Sequence, residues 1–407
     1  MPTLLQISIE VNSGSVGRIA EQIGEVVLEN GWSSYITYAR NNNPSTSRVI
    51  RIGDKLDLYR HGLETRIFDN HCFSSKSATK ELIETIKEIK PDIINLHHLH
   101  GYFINIEILF SFLKESNIPI VWTFHDCWSF TGHCAYFDYV GCEKWKTECY
   151  NCEQKGEYPK SLIFDRSRQN YIDKKRIFTD VKNLTIIAVS NWLSMKVKDS
   201  FLKNYPLEVI QNGIDINIFY PRKSRTKIDE LYDVKDKFVI LGVASTWEKR
   251  KGFNEFIKLV ELLDNRFYRI ILVGLSKNQI KELPKPIIGI ERTESVDQLA
   301  EIYSASNVFL NPTFEDTFPT TNLESLACGT PVITYRTGGS VESLDQNTGI
   351  VVDKGDVAGL IDAIEIIENN GKEFYEENCV NRAFNNFDKR IRFHDYLELY
   401  RNILKNN

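Results

Sequence analysis

Phe314-Glu-Asp-Thr-Phe-Pro-Thr-Thr-Asn-Leu-Glu-Ser-Leu-Ala-Cys-Gly-Thr-Pro-Val-Ile333 follows one short apolar run, Val308-Phe-Leu, and ends in another, Pro331-Val-Ile-Thr. Pro319 suits the first position of a helix, where its missing N–H costs nothing. Gly329 suits the left-handed position just past a helix end, and Pro331 blocks continuation. The stretch predicts strand, loop, short helix, strand. The unpaired N–H groups of the first turn, around Thr320 and Thr321, form a ready site for an anion such as a pyrophosphate. Asp316 lies in the loop and Glu324 in the helix, so both carboxylates could line one pocket. Periodicity by itself equally allows a loop acid and a solvated helix face.

The same alternation extends through nearly all of the 407 residues, which is the signature of parallel sheets built from βαβ units. Residues 3–9 read as a strand, and Asn12-Ser-Gly-Ser-Val-Gly17 opens a helix with Ile19, Ile23 and Val26 on one face. Helices near 77–90 and 104–114 lead into strands 92–96 and 118–124, and strand 184–189 precedes a helix capped by Ser190. A change of unit falls near 207–220, where strand 207–211 runs into the turn Asn212-Gly213 and a polar linker. A second series begins at Phe238-Val-Ile-Leu-Gly-Val and passes through Tyr268-Arg-Ile-Ile-Leu-Val to Gly349-Ile-Val-Val. The predicted fold is α/β, two doubly wound parallel-sheet domains facing across a cleft, with ligands at the carboxyl ends of the strands. The expected domains are 1–206, with a Cys-rich insertion at 127–160, and 207–387. A final helix, 388–407, is expected to pack back on the first domain.

Composition narrows the classes further. Hydrophobic residues make up 42% and charged residues 26%, as in a soluble chain with sizeable cores, and a net charge of −5 argues against a broad nucleic-acid footprint. No apolar run reaches transmembrane length, and Met1-Pro-Thr-Leu-Leu-Gln-Ile reads as a first strand, not a signal peptide. A cytoplasmic enzyme or binding protein is the expectation. Lys196, Lys198 and Lys203, interleaved with Trp192, Leu193 and Phe201, form either a solvated helix face or a peripheral contact with the inner face of a membrane.

Three further groups stand at predicted strand ends. The loop Ser13, Gly14 and Gly17 permits close backbone approach to a phosphate or acceptor, although a simple tight turn fits equally well and the three-glycine dinucleotide pattern is incomplete. His125-Asp126 ends the strand 118–124. His97, His98 and His100 end the strand before it, and alternation would point His97 and His98 to opposite faces, so no metal site is read there. Lys249-Arg-Lys251 alone reads as a solvated charge run, but beside the downstream segment Lys251 reads as a diphosphate contact.

The segment Asp316-x7-Glu324, followed by Gly329-Thr-Pro-Val, resembles glycosyltransferase family 4, the retaining nucleotide-sugar-dependent enzymes of the GT-B fold. Asp316 stands where the family usually has Glu, and Glu315 is adjacent but out of register. Asn212-Gly-Ile-Asp215, the strand end 242–252 with Lys251-Gly252, and Gly338-Gly339 with Glu342 extend the likeness over most of the chain. The resemblance implies that Glu324 accepts bonds from the ribose hydroxyls and that the Glu315–Asp316 loop holds the donor sugar. By the same resemblance Lys251 would bind the diphosphate, with Arg250 replacing the family's usual Arg, His125 would contact the donor sugar, and the 13–17 loop would border phosphate and acceptor. The implied reaction moves a sugar from a UDP- or GDP-type donor to a glycan or lipid-linked acceptor, in surface polysaccharide biosynthesis, with no metal required for catalysis. Alternatives on the same fold are a sugar-nucleotide epimerase, a phosphorylase, or a non-catalytic nucleotide-sugar-binding protein.

Cys134-x7-Cys142-x6-Cys149-x2-Cys152 places four of the eight cysteines in one aperiodic segment. Its closing Cys-x-x-Cys gives a structural zinc site as one reading, with unligated thiols or redox bridging as the others.

Overall fold

The computed structural model describes residues 1–223 and 225–406, which form two compact units. The first comprises Met1–Gln211 and the segment from Phe393 onward, and the second is Asn212–Arg392. The first holds β1 (Thr3–Ile7), β2 (Ser33–Tyr38), β3 (Arg48–Arg51), β4 (Ile93–Leu96), β5 (Ile120–Phe124), β6 (Leu184–Ala188) and β7 (Leu207–Val209). They form one parallel sheet in the order 3-2-1-4-5-6-7. The second holds β8 (Phe238–Val243), β9 (Tyr268–Val273), β10 (Ile287–Ile290), β11 (Val308–Asn311), β12 (Val332–Tyr335) and β13 (Gly349–Val352). These are also parallel, in the order 10-9-8-11-12-13. Both are Rossmann-like sheets.

Each order reverses once, between β1 and β4 and between β8 and β11. Right-handed crossovers carry the chain in opposite directions on the two sides of that point, so neighbouring strand ends release loops that diverge. Functional loops belong there. The central strands can be uniformly apolar because helices cover both faces, and β5, Ile-Val-Trp-Thr-Phe, is buried at every position.

Three local features differ from the sequence expectation. The strand from residue 207 pairs with β6 (Ile186↔Leu207) and so completes the first sheet, which puts the boundary at Gln211 and not at 206. A three-residue edge strand has too little pattern to declare its sheet. Pro319 is the N-cap of the helix Thr320–Ala327, in extended conformation, not its first helical residue. At the other end Gly329 is left-handed, with its N–H on the Leu326 carbonyl at 2.9 Å and the Thr330 N–H on the Ser325 carbonyl at 3.0 Å, the paired closure that stops a helix firmly. Lys196, one of the cations read as a solvated or lipid-facing set, is ion-paired to Asp138 at 2.6 Å.

The last helix, Lys389–Asn406, buries Phe393, Tyr396, Leu397 and Tyr400 in the same core as Leu4, Ile23, Ile93, Val121 and Ile187. The Tyr400 hydroxyl accepts a 2.8 Å bond from the Asn95 amide. Between β5 and the helix Ser167–Phe178 the chain forms only three short 3-10 turns, Trp128–Phe130, Asp138–Val140 and Lys144–Lys146. Phe130, Phe137 and Trp145 pack together there, with centroids 4.8–6.3 Å apart. Among the described residues, no helix is long and apolar enough to cross a membrane.

Candidate functional site

In the second unit the site grows from the reversal between β8 and β11. The loop after β8 ends in the turn Lys249–Lys251 and then Gly252, at φ +77°. A Cβ at Gly252 would stand 2.1 Å from the Pro312 carbonyl oxygen, so only glycine lets this loop press against the one leaving β11. Contact follows directly. The Phe314 N–H donates to the Arg250 carbonyl at 2.7 Å, and Arg250 Nη1 donates to the Glu315 carbonyl at 2.6 Å. Lys251 Nζ is ion-paired with Asp316 Oδ2. Burial works against the charge on both partners. Asp316 nevertheless titrates below the usual carboxylate range, because Lys251 and then Arg250 outweigh the burial. Lys251 is lowered from the ordinary ammonium range by burial, with Asp316 opposing. Thus Asp316 carries the carboxylate that meets Lys251, while Glu315, fully buried, holds Arg250 through its backbone.

The loop is clamped from its other side. Gly339 donates its N–H to the Asp316 carbonyl at 2.9 Å, and a Cβ at Gly338, φ +53°, would stand 1.9 Å from the same oxygen. Asn322 ties the following helix to this clamp by bonds to Ser340 Oγ (3.1 Å), Ser343 Oγ (2.8 Å) and Asn311 (2.8 Å). Thr320 and Thr321 form the first turn of that helix, partly exposed, with no acidic side chain in the turn and no side-chain cap from Pro319. That leaves a positive dipole end suited to an anion. Glu324, buried on the helix, accepts a 3.0 Å bond from the Tyr303 hydroxyl. Tyr303 is a partner that sequence reading missed, since one tyrosine in an amphipathic helix looks like ordinary core.

In the first unit, the helix Gly14–Glu29 starts directly after β1's loop, with Ser13 as an N-cap that makes no capping bond. Gly14 is left-handed (φ +60°), and the Gly17 carbonyl accepts the Asn12 N–H at 3.0 Å, so the loop is a tight turn with an open helix end. β4 ends at Leu96, so strand pairing does not fix where His97 and His98 point. Both imidazoles reach His125: His97 Nδ1 lies 3.1 Å from His125 Nε2, and the His98 and His125 rings meet edge to face at 5.2 Å. Asp126 Oδ2 lies 2.7 Å from His100 Nε2 and 3.3 Å from His98 Nε2, while Oδ1 accepts the Trp128 N–H at 2.9 Å. The ligand atoms of His98, His100 and Asp126 all fall within 4.8 Å of one another, a grouping not read from the sequence, where only the three histidines were weighed together. Burial drives His97 and His98 down to about 3 and His125 well below its ordinary value. These are neutral imidazoles, fit to share hydrogen bonds with hydroxyl groups.

The four insertion cysteines are free thiols. Cys134 and Cys152 hydrogen-bond to each other, and Cys142 and Cys149 lie within electrostatic range of Cys134. Lys174, 1% exposed, donates to the carbonyls of Trp128 (2.8 Å) and Thr131 (3.1 Å) with its ammonium 3.5 Å from the Trp128 ring centroid. Burial brings it down to about 7.

Comparison with known proteins fits this geometry. Residues 16–218 match the family described as Glycosyltransferase Family 4, and residues 237–370 match that described as Glycosyl transferases group 1. The chain belongs to this family. It is 28% identical over 229 residues to a putative colanic acid biosynthesis glycosyl transferase of Escherichia coli, covering 52% of this chain and 55% of that protein. It is 27% identical over 238 residues to a capsular polysaccharide biosynthesis glycosyltransferase of Staphylococcus aureus, covering 54% of this chain and 62% of that protein. The chain thus spans little more than half the length of these relatives. Its fold is similar to that of sucrose-phosphate synthase from Thermosynechococcus elongatus, with TM-score 0.75, 17% identity and full coverage of both chains. It is also similar to HepE of Anabaena solved with UDP, with TM-score 0.68, 15% identity, and coverage of 98% and 99%. The two Rossmann-like sheets are those of the GT-B fold.

Proposed function

We propose that this chain is a retaining glycosyltransferase that moves a sugar from a nucleoside diphosphate sugar to a hydroxyl of a glycan or lipid-linked saccharide in surface polysaccharide assembly. The observation that carries the reading is the Lys251–Asp316 pair, braced by Arg250, at the chain reversal of the second sheet and just before an uncapped helix N-terminus. A departing nucleoside diphosphate accumulates negative charge, and two fixed cations plus a helix dipole neutralise it without reorganisation. Asp316 keeps the Lys251 ammonium charged in the empty site and accepts a donor-sugar hydroxyl when the diphosphate arrives. Glu324, oriented by Tyr303, accepts the ribose hydroxyls. Bond making and breaking occur on one face of the sugar: the glycosidic bond to the diphosphate breaks, the acceptor oxygen bonds to the same carbon, and the departing phosphate takes the acceptor proton. No protein nucleophile is required. His125 contributes a neutral hydrogen-bonding contact to the donor sugar. HepE, which shares this fold, was solved with UDP and with UDP-glucose, and the two bacterial relatives carry names from polysaccharide synthesis, which supports donor and pathway class.

A thermal-shift screen against UDP-, GDP-, ADP- and TDP-sugars tests it, with Glu324→Ala in parallel. One nucleotide series should stabilise the wild type by about 2.7 kcal/mol at ligand 100-fold above Kd, and the variant should lose that shift. Absence of any shift overturns the nucleotide-sugar reading. Binding without transfer to any saccharide acceptor would favour the binding-protein reading, to which Asp316 in place of the usual Glu lends its support.

A further inference from the structure

The helix Lys55–Phe68 of the first unit presents its apolar face to solvent. Leu56, Tyr59 and Leu63, spaced as one helix face, are 59–76% exposed, whereas His61 and Thr65 on the opposite face are fully buried. The polar face is locked in. His61 Nδ1 lies 2.8 Å from Ser75 Oγ, and its Nε2 accepts the Cys72 N–H at 3.0 Å. The helix cannot roll to hide its leucines without breaking these bonds in the interior. A loop extends the same surface. Leu162, Ile163 and Phe164 are consecutive and 53–61% exposed. The Leu162 N–H donates to the Arg66 carbonyl at 2.7 Å, the Phe164 N–H donates to the Ile67 carbonyl at 3.2 Å, and the Phe164 ring stacks on Phe68 with centroids 6.0 Å apart. Two carbonyls of the loop are also bonded: Ser161 Oγ donates to that of Phe164 at 2.7 Å and Lys155 Nζ to that of Ile163 at 3.1 Å. A tip with apolar side chains outside and backbone groups bonded within suits an apolar medium better than water.

Charge identifies what covers this face. The carboxylates of segments 54–68 and 160–166 are engaged within the protein. Asp54 and Asp57 each accept the other's backbone N–H, Glu64 accepts from Ser74 Oγ and pairs with Arg60, and Asp165 accepts the Cys152 and Ser167 N–H groups. The exposed Lys55, Arg66 and Lys160 make no ion pair among the described residues. Unpaired cations around apolar tips match a surface that is anionic above and apolar beneath, which is what a bilayer with acidic lipids offers. We propose that this face docks the first unit on an anionic lipid bilayer. Leu162, Ile163 and Phe164 enter the acyl boundary, Leu56, Tyr59 and Leu63 lie along the interface, and the three cations meet lipid phosphates. The inference rests on this surface and not on the sugar-transfer reading.

The test is co-sedimentation of the full chain with vesicles of equal parts phosphatidylglycerol and phosphatidylcholine, and with vesicles of phosphatidylcholine alone. The wild type should bind the anionic vesicles, lose affinity as salt rises, and bind phosphatidylcholine at least about 10-fold more weakly. Leu162→Ser combined with Ile163→Ser should lower affinity for the anionic vesicles by at least about 10-fold. Lys55→Gln, Arg66→Gln and Lys160→Gln should each lower it by about fivefold. These positions are exposed, so the melting points should stay at the wild-type value. A wild type that stays in the supernatant, binding indifferent to lipid charge, or undiminished binding by the folded Leu162→Ser/Ile163→Ser variant would each overturn the proposal. So would a lipid-free dimer in sedimentation velocity that Leu56→Ser with Leu63→Ser dissolves, because a second copy of the chain would then be the occupant. If the variants misfold, the wild-type contrast between the two vesicles and its salt dependence decide.

Discussion

Lowering the pH from 7 to 5 should unfold the first unit well before the second. Burial holds His61 at about 4, His97 and His98 at about 3, and His71 and His125 well below their ordinary value. Each is a base whose folded pKa is depressed. The unfolded chain therefore takes up the proton first, and stability present above about pH 6.5 is lost as the pH falls. Between pH 7 and pH 5 a histidine kept neutral in the fold loses about 1.9 kcal/mol relative to an unfolded one of pKa about 6.5. Five such groups set an upper bound of roughly 9 kcal/mol, comparable with a small protein's whole stability. His133 has the opposite sign. Burial opposes its charge, but the Asp69 bond outweighs burial and raises its pKa, so falling pH restores less than about 1 kcal/mol. The second unit contains no histidine and is the internal control. Urea denaturation followed by tryptophan fluorescence separates the units, because Trp32, Trp122, Trp128, Trp145 and Trp192 lie in the first and Trp247 alone in the second. A first-unit loss below about 1 kcal/mol between these pH values would refute the claim that these imidazoles are buried and neutral.

Gly338→Ala places a Cβ 1.9 Å from the Asp316 carbonyl oxygen at φ +53°, and should cost about 2–4 kcal/mol in the second unit and abolish donor-induced stabilisation; a variant of unchanged melting point and donor shift would show that the clamp is idle. Tyr303→Phe removes the 3.0 Å donor to Glu324 and should lower stability by about 1.5–3 kcal/mol, read in chemical denaturation. Glu324→Gln should lose much less, because the tyrosine hydroxyl keeps an acceptor. Lys174→Met orphans the Trp128 and Thr131 carbonyls and should cost the first unit about 2–4 kcal/mol. Recovery of stability in Lys174→Met would mean that the ammonium is a burden and not a tie.

Much of this architecture is legible from residues alone because central parallel strands are apolar runs bounded by turn residues, as at β5, β8 and β9. The strands that escape notice are β2, β3 and β10. Arg48-Val-Ile-Arg51 at the sheet edge exposes most of its positions, and an edge strand with one covered face has no continuous apolar signature. The opening segment yields Asp316, Glu324, Thr320 and Thr321 from helix signals and spacing, yet it cannot show that Asp316 meets Lys251, because that contact depends on which strands are neighbours. Gly252 and Gly338 read as turn glycines; their actual task, letting one backbone press on another, is a property of packing. His98, His100 and Asp126 stand out in the sequence as residues that follow strands, but their meeting depends on β4 and β5 being neighbours in the sheet, which spacing alone does not declare.

The helix Lys389–Asn406 has a consequence in the order of synthesis. The core of the first unit is discontinuous: Phe393, Tyr396, Leu397 and Tyr400 leave the ribosome only after the whole of Asn212–Arg392. The second unit has all its strands in hand while the first still exposes the apolar groove over Leu4, Ile23 and Ile93 that those rings will fill. The nascent first sheet must therefore wait, vulnerable to chaperone capture or aggregation, until its final helix arrives to seal it.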